Sequence, residues 1–150
     1  MMKIEDEIQQ PTFKSSHQKA LINLVFTANW LGLRQACAFR PFGITLPQFN
    51  VLRILRGQHP KPATVNLLIE RMLDKTSNAS RIVDKLEAKA LVTRTTCPSN
   101  RRAVDIRITE AGLELLRRLD VEVDSERGPL QNLTPDEAAQ LSALLDKIRD

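Results

Sequence analysis

A chain of 150 residues, 42% hydrophobic and 27% charged, has the size and composition of one folded domain rather than a disordered segment. No apolar run approaches the ~18 residues of a membrane span, and the polar N-terminus MMKIEDEIQQ is unlike a signal peptide. The net charge of +4 is uneven: residues 60–108 carry ten Lys/Arg against five Asp/Glu, whereas residues 109–150 carry five against ten. That distribution suits a polyanion partner for the middle of the chain, and two cysteines, Cys37 and Cys97, suit a reducing cytoplasm rather than a disulfide framework.

Residues 1–12 read as a flexible arm with Pro11 near its end. From Phe13 to about Phe39 the pattern is helical, with Leu21, Leu24, Val25, Ala28 and Leu31 on one face and Ile22, Phe26, Leu33 and Cys37 beside it. A helix apolar over so much of its girth needs cover on two sides, which in a chain this short implies a partner subunit. Pro41 stops it and Gly43 marks the turn. Thr45 to Gln48 is a T-x-x-Q capping box with Pro47 in the permissive first turn, and the helix it opens runs to about Gly57. His59, Pro60, Lys61 and Pro62 form a stiff connector.

The next stretch organises the rest. A short helix from Val65 to Met72, capped by Thr64, offers Leu67, Leu68, Met72 and Leu73 for packing. A second helix, from about Thr76 to Ala90 with Asp74 or Thr76 as its cap, has Ala79, Ile82, Val83, Leu86 and Ala90 on one face. Its other side carries Ser77, Arg81, Asp84 and Ala88, flanked by Asn78, Ser80 and Lys85. Two helices joined by a tight turn fit the helix-turn-helix unit, and hydroxyl, amide and basic groups can bond base edges and phosphates in a major groove. An ordinary helical hairpin within a core is the other reading of this stretch.

After Ala90 the period changes from helical to two. Leu91 to Cys97 and Ala103 to Ile108 read as a hairpin, turning at Pro98, Ser99 and Asn100. Val104, Ile106 and Ile108 point to one side, Asp105 and Arg107 to the other, and Arg101 and Arg102 sit at the tip. A hairpin with an arginine tip directly after a helix-turn-helix is a wing, suited to the negative potential of a narrow minor groove. Thr109 caps a further helix along Leu113, Leu116, Leu119 and Val123, broken by Arg127, Gly128 and Pro129. Thr134, Pro135, Asp136 and Glu137 open a last helix with Leu141, Leu144, Leu145 and Ile148 as its stripe.

The residues assemble no enzyme, and no cofactor or metal is expected. His17 and His59 stand in different elements, and the five glycines form no phosphate-binding loop. The carboxylates cluster in the C-terminal helices as a solvated face.

The order of elements and the run N-R-R-A-V-D-I-R-I-T-E-A-G, from Asn100 to Gly112, resemble the MarR family of bacterial transcription regulators. The family pattern there is D-x-R, a short hydrophobic strand, then L-T-x-x-G. Arg102 matches the family's wing arginine, while Asn100 stands where an aspartate is usual and accepts a hydrogen bond more weakly. Gly43 to Leu55 and Ser80 to Leu86 are similar to the family's second and recognition helices, and the resemblance extends over Phe13 to Asp150.

It implies a mainly α fold with a small β-hairpin wing: a winged helix-turn-helix lobe at 44–108, with dimerisation helices from both termini at 13–40 and 109–150. It further implies a cytoplasmic homodimer, most simply a repressor, on a pseudo-palindromic operator of double-stranded DNA, with release by a small aromatic effector. Ser77, Asn78, Ser80 and Arg81 are expected at or near base edges, with Thr76 on the same surface. Lys75 and Lys85 are expected at phosphates, and Arg101 and Arg102 at the backbone or minor groove. Trp30, Phe42 and Phe49 are candidates to line an effector pocket and equally candidates for core. Cys37 lies near the end of its helix in a chain without tyrosine, and is read as a buried inert thiol. The alternatives are a winged-helix protein-interaction module without DNA binding, and a redox-responsive regulator acting through Cys37 or Cys97.

Overall fold

In the computed structural model, which describes residues 2–123 and 128–150, the chain divides into two units, Met1–Cys37 and Ala38–Asp150. The side chains of Cys97, Arg101, Arg102, Glu122 and Val123 lie outside the described part.

The first unit departs from expectation at its start. The arm holds a one-turn helix, α1 (Ile4–Glu7), with Ile4 buried. The Glu5 carboxylate accepts a hydrogen bond from Lys19, which holds its pKa below the ordinary range. The long helix α2 (Ser16–Phe39) begins three residues later than its apolar pattern. Ser15 sets that start, because its Oγ accepts from the Gln18 amide at 3.1 Å. Of its 24 residues only Phe39, which belongs to the second unit, is buried; Leu21, Val25, Trp30 and Leu33 are exposed. Cys37, read from the sequence as buried, is exposed too, because it stands on this uncovered helix.

The second unit starts with a 3-10 turn (Arg40–Phe42) closed by Gly43 at φ +67°, a left-handed conformation that glycine adopts without steric cost. α3 (Leu46–Gln58) opens with the expected capping box: Gln48 N donates to Thr45 Oγ1 at 3.4 Å, and Thr45 N to Gln48 Oε1 at 3.2 Å. α4 (Val65–Arg71) is capped by Thr64, and α5 (Ala79–Ala88) follows. Strands β1 (Val92–Cys97) and β2 (Asn100–Ile108) pair antiparallel, with Val92 opposite Ile108, Arg94 opposite Ile106, and an irregularity between Thr96 and Cys97. An isolated bridge that periodicity had no means of marking extends the two-stranded hairpin: Ala63 exchanges both backbone bonds with Ile106, at 2.8 and 2.9 Å. α6 (Glu110–Val123) and α7 (Pro135–Ile148) complete the order; α7 carries its expected capping box from Thr134 and Glu137.

The core draws on α3, α4, α5, the hairpin and α6: Val51, Leu52, Leu68, Val83, Leu86, Ile106 and Leu116 are fully buried. Phe49 belongs to this core, its ring centroid 4.7 Å from that of Phe39, so it lines no open pocket. Arg56 of α3 grips Asp120 of α6 with both guanidinium nitrogens, at 2.6 and 3.2 Å. Among the described residues no helix is long and apolar enough to cross a membrane, and no cluster of His, Cys, Asp or Glu could hold a metal.

Candidate nucleic-acid interface

α5 is amphipathic because its apolar residues recur at three- and four-residue steps. Ala79, Ile82, Val83 and Leu86 are buried in the same core as Leu68 and Met72 of the preceding helix and turn. Docking by that stripe leaves Ser80, Arg81, Asp84, Lys85 and Ala88 exposed. The outward edge is therefore a consequence of which residues the core takes.

The turn before α5 corrects the helix start. Residues 76–78 are not helical; the helix begins at Ala79, with Asn78 as its cap. Asn78 Oδ1 accepts from Arg81 N at 3.1 Å, which satisfies one of the free amides at the helix start. Asp74 and Thr76, the two caps read from the sequence, do not cap α5; Asp74 organises the turn instead. It accepts from the Thr76 amide at 2.9 Å and from the hydroxyls of Thr76 at 2.6 Å and Ser77 at 2.5 Å. Those bonds, the Ser77 hydroxyl first and the Thr76 hydroxyl next, lower its pKa from 3.8 to about 2. Asn50 of α3 fixes the other side of the turn, its Oδ1 accepting from Leu73 N at 2.9 Å. Leu73, expected to pack, lies past the end of α4 and is 82% exposed.

The nine residues picked from the sequence thus fall into three groups. Ser80, Arg81 and Lys85 share the exposed edge of α5, and among the described residues neither Arg81 nor Lys85 has a carboxylate partner. Lys75, Thr76, Ser77 and Asn78 form the turn and are already bonded within it. Lys75 donates to the last carbonyls of α4, Ile69 O at 3.1 Å and Glu70 O at 2.5 Å, where a cation also suits the helix dipole. Arg101 and Arg102 belong to β2 by backbone, and their side chains lie outside the described residues, as does that of Cys97.

Two polar residues that the sequence reading passed over, Arg94 and Lys89, and a third, Arg107, that it placed only on one side of the hairpin, make the contacts that hold this region. Arg94 of β1 pairs with Asp84 and, at 3.6 Å, with Glu87, both on α5. Lys89, just past α5, donates to Gly43 O and, at 3.1 Å, to Gln48 Oε1 at the start of α3. Arg107 donates to Pro60 O. A lone arginine in the Thr-rich run V-T-R-T-T was a visible signal, but its partners are fixed only by tertiary structure.

Beyond the α5 edge, Phe42 is covered by the Arg118 guanidinium at 5.2 Å from its ring centre. Trp30 belongs to the first unit, where Arg34 stacks on it at 4.9 Å.

Comparison with known proteins agrees with this geometry. A model of the MarR family matches residues 42–103, the span from the 3-10 turn into the wing. The crystal structure of a MarR transcription factor from Planctomyces limnophilus is 30% identical; the alignment covers 92% of this chain and 96% of that one, with a TM-score of 0.65. Wild-type MarR from E. coli in its apo form is 27% identical over 84% of this chain and 94% of that one, with a TM-score of 0.61. AbsC, a MarR family regulator from Streptomyces coelicolor, shares the fold with a TM-score of 0.75 at 22% identity, covering 92% and 95%. The wing, the buried stripe of α5 and these likenesses lead to one assignment: the chain belongs to the MarR family of winged helix-turn-helix transcription regulators.

Proposed function

We propose that this protein is a cytoplasmic repressor that binds a pseudo-palindromic operator as a homodimer. In this reading residues 44–108 form the DNA-binding lobe, 13–40 and 109–150 supply the dimerisation helices, and 1–12 is an N-terminal extension. α5 enters the major groove with Ser80 and Arg81 toward base edges and Lys85 toward phosphate. The turn residues Lys75, Thr76, Ser77 and Asn78 approach the same strand. Since their side chains are engaged in the turn, their part is to hold the start of α5 in register more than to read bases. Arg101 and Arg102 reach the backbone or minor groove from the wing.

The observation that carries the reading is the exposed Ser80–Arg81–Lys85 edge, with its two cations unpaired among the described residues, on a helix otherwise committed to the core. Titrating labelled mixed-sequence duplex over a salt series tests it. DNA binding predicts a steep fall in affinity, with its logarithm linear in the logarithm of salt concentration. No binding at low salt would leave the protein-interaction module as the better account. Selecting bound fragments from genomic DNA then yields the operator, and transcription from it with and without protein distinguishes repression from activation. Release by a small aromatic effector rests on the family resemblance alone, because Phe49 is core and Phe42 is covered. Adding aromatic acids to the DNA complex tests that part separately.

A further inference from the structure

The outward side of α5 is not uniformly basic. Asp84 stands one helical turn after Arg81, and Glu87 three residues further on. Residues at this spacing lie about 5–6 Å apart at Cβ, well inside the Debye length of about 10 Å at moderate salt. Left alone, the two carboxylates would oppose the approach of a phosphate backbone to Arg81 and Lys85.

Arg94 stands beside both acids. It lies opposite Ile106 in the hairpin register, and directly opposed residues project from the same face of a sheet. Its side chain therefore leaves β1 on the face that covers the core, and it reaches α5 at the edge of that contact. There one guanidinium bonds Asp84 and lies 3.6 Å from Glu87, so a single cation serves both acids. The Arg94 side chain is 32% exposed, less than that of Asp84 at 60% or of Glu87 at 45%. The arginine is thus the most covered member of the trio.

Resting on the DNA-binding reading above, we propose that Arg94 is a positioning residue for DNA binding: it neutralises Asp84 and Glu87 and ties the base of the wing to α5, rather than contacting phosphate itself. The opposing possibility is that Arg94 leaves the acids and grips the backbone directly. The two differ in what happens when the acids are removed together with the arginine.

The experiment compares wild type, Arg94→Met, and the triple variant Arg94→Met/Asp84→Asn/Glu87→Gln on a fluorescein-labelled mixed-sequence duplex at low salt, with a thermal melt of each. Masking predicts that Arg94→Met binds about tenfold more weakly, since two exposed carboxylates are released beside the contact surface. It also predicts that the triple variant returns to within about threefold of wild type. A triple variant that folds yet stays about tenfold or more below wild type overturns the proposal and assigns Arg94 to the phosphates. Equal binding by Arg94→Met and wild type overturns it as well. If Arg94→Met does not fold, the triple variant decides alone by the same threshold. Failure of wild type to bind duplex sinks the DNA-binding reading itself and is recognised before any variant is compared.

Discussion

Single side chains on α5 and its turn have separable tasks, and two of them can be measured apart. Arg81 is exposed and unpaired among the described residues, so truncating it leaves the fold intact. Arg81→Ala should weaken binding to the selected operator by about 1–3 kcal/mol and flatten the preference among related sequences. Competition gel shifts with operator and mutated operator check both effects, and an unchanged preference removes Arg81 from the base-reading role. Asp74 works through structure instead. Its folded pKa of about 2 lies below the ordinary 3.8, so its contribution to the turn is complete above pH 3.8 and is lost as pH falls toward 2. The turn should therefore be unaffected between pH 5 and 8. A carboxyl titration followed by NMR should place the Asp74 midpoint near 2; a midpoint at the ordinary value would mean that Thr76 and Ser77 do not hold it in solution. The sequence displayed all these residues but not their division of labour. Asp74, Thr76 and Asn78 are each competent caps within five positions, and only the folded turn decides that Asn78 takes the helix.

At the scale of elements, what was legible is what is local. Both capping boxes, the Thr64 cap, the buried stripe of α5 from Ala79 to Leu86 and the alternation of β2 depend on residues a few positions apart, and each appears where its pattern stands. Ala90, read as the last member of that stripe, instead lies past the end of α5, exposed and at φ +57°. What was not legible joins distant positions: Arg56 to Asp120, Lys89 to Gly43, and Ala63 to Ile106. Gly112 lies between the two cases. The motif I-T-E-A-G is visible in the sequence, but its physical reason appears only in the fold. A Cβ at Gly112 would meet Leu91 O at 2.5 Å and Ile108 Cγ1 at 2.7 Å. The same Leu91 carbonyl accepts from Thr109 N at 3.0 Å, so the backbone there is already committed. Gly112→Ala should destabilise the protein by roughly 1–3 kcal/mol through overpacking, despite alanine's better helix propensity. Gly57, near the end of α3, has nothing within 4 Å of such an added Cβ. Gly57→Ala should therefore be neutral or stabilising by up to about 1 kcal/mol. Urea unfolding of the two variants side by side checks the contrast; equal effects would show that close packing at Gly112 is not what its motif protects.

Across the whole chain, the folded lobe accounts for the middle of the sequence but not for its ends. α2 leaves Leu21, Val25 and Leu33 more than half exposed, and α7 leaves Leu144 and Ile148 so at 61% and 67%. Exposed apolar residues are ordinary singly, but two helices that each keep an apolar stripe in water are not, and each would be covered by another surface of matching pattern. In the proposed homodimer a second copy of the chain would supply that surface, as the broad apolar girth of residues 13–39 suggests. The expected species is then a dimer of 17.0 kDa subunits, with an interface in the range above about 2,000 Å² that is usual for obligate homodimers. Leu144→Glu/Ile148→Glu places two charges on the α7 stripe without touching the core of the DNA-binding lobe. Light scattering should report the wild type at twice the subunit mass and this variant at or near the single mass. Affinity for the two-half-site operator should fall by about 10²–10⁴, because the second lobe no longer binds at high effective concentration. Binding to an isolated half-site should change little. A variant that stays dimeric, or a wild type that is monomeric at micromolar concentration, would mean that α7 is covered by something other than its own kind.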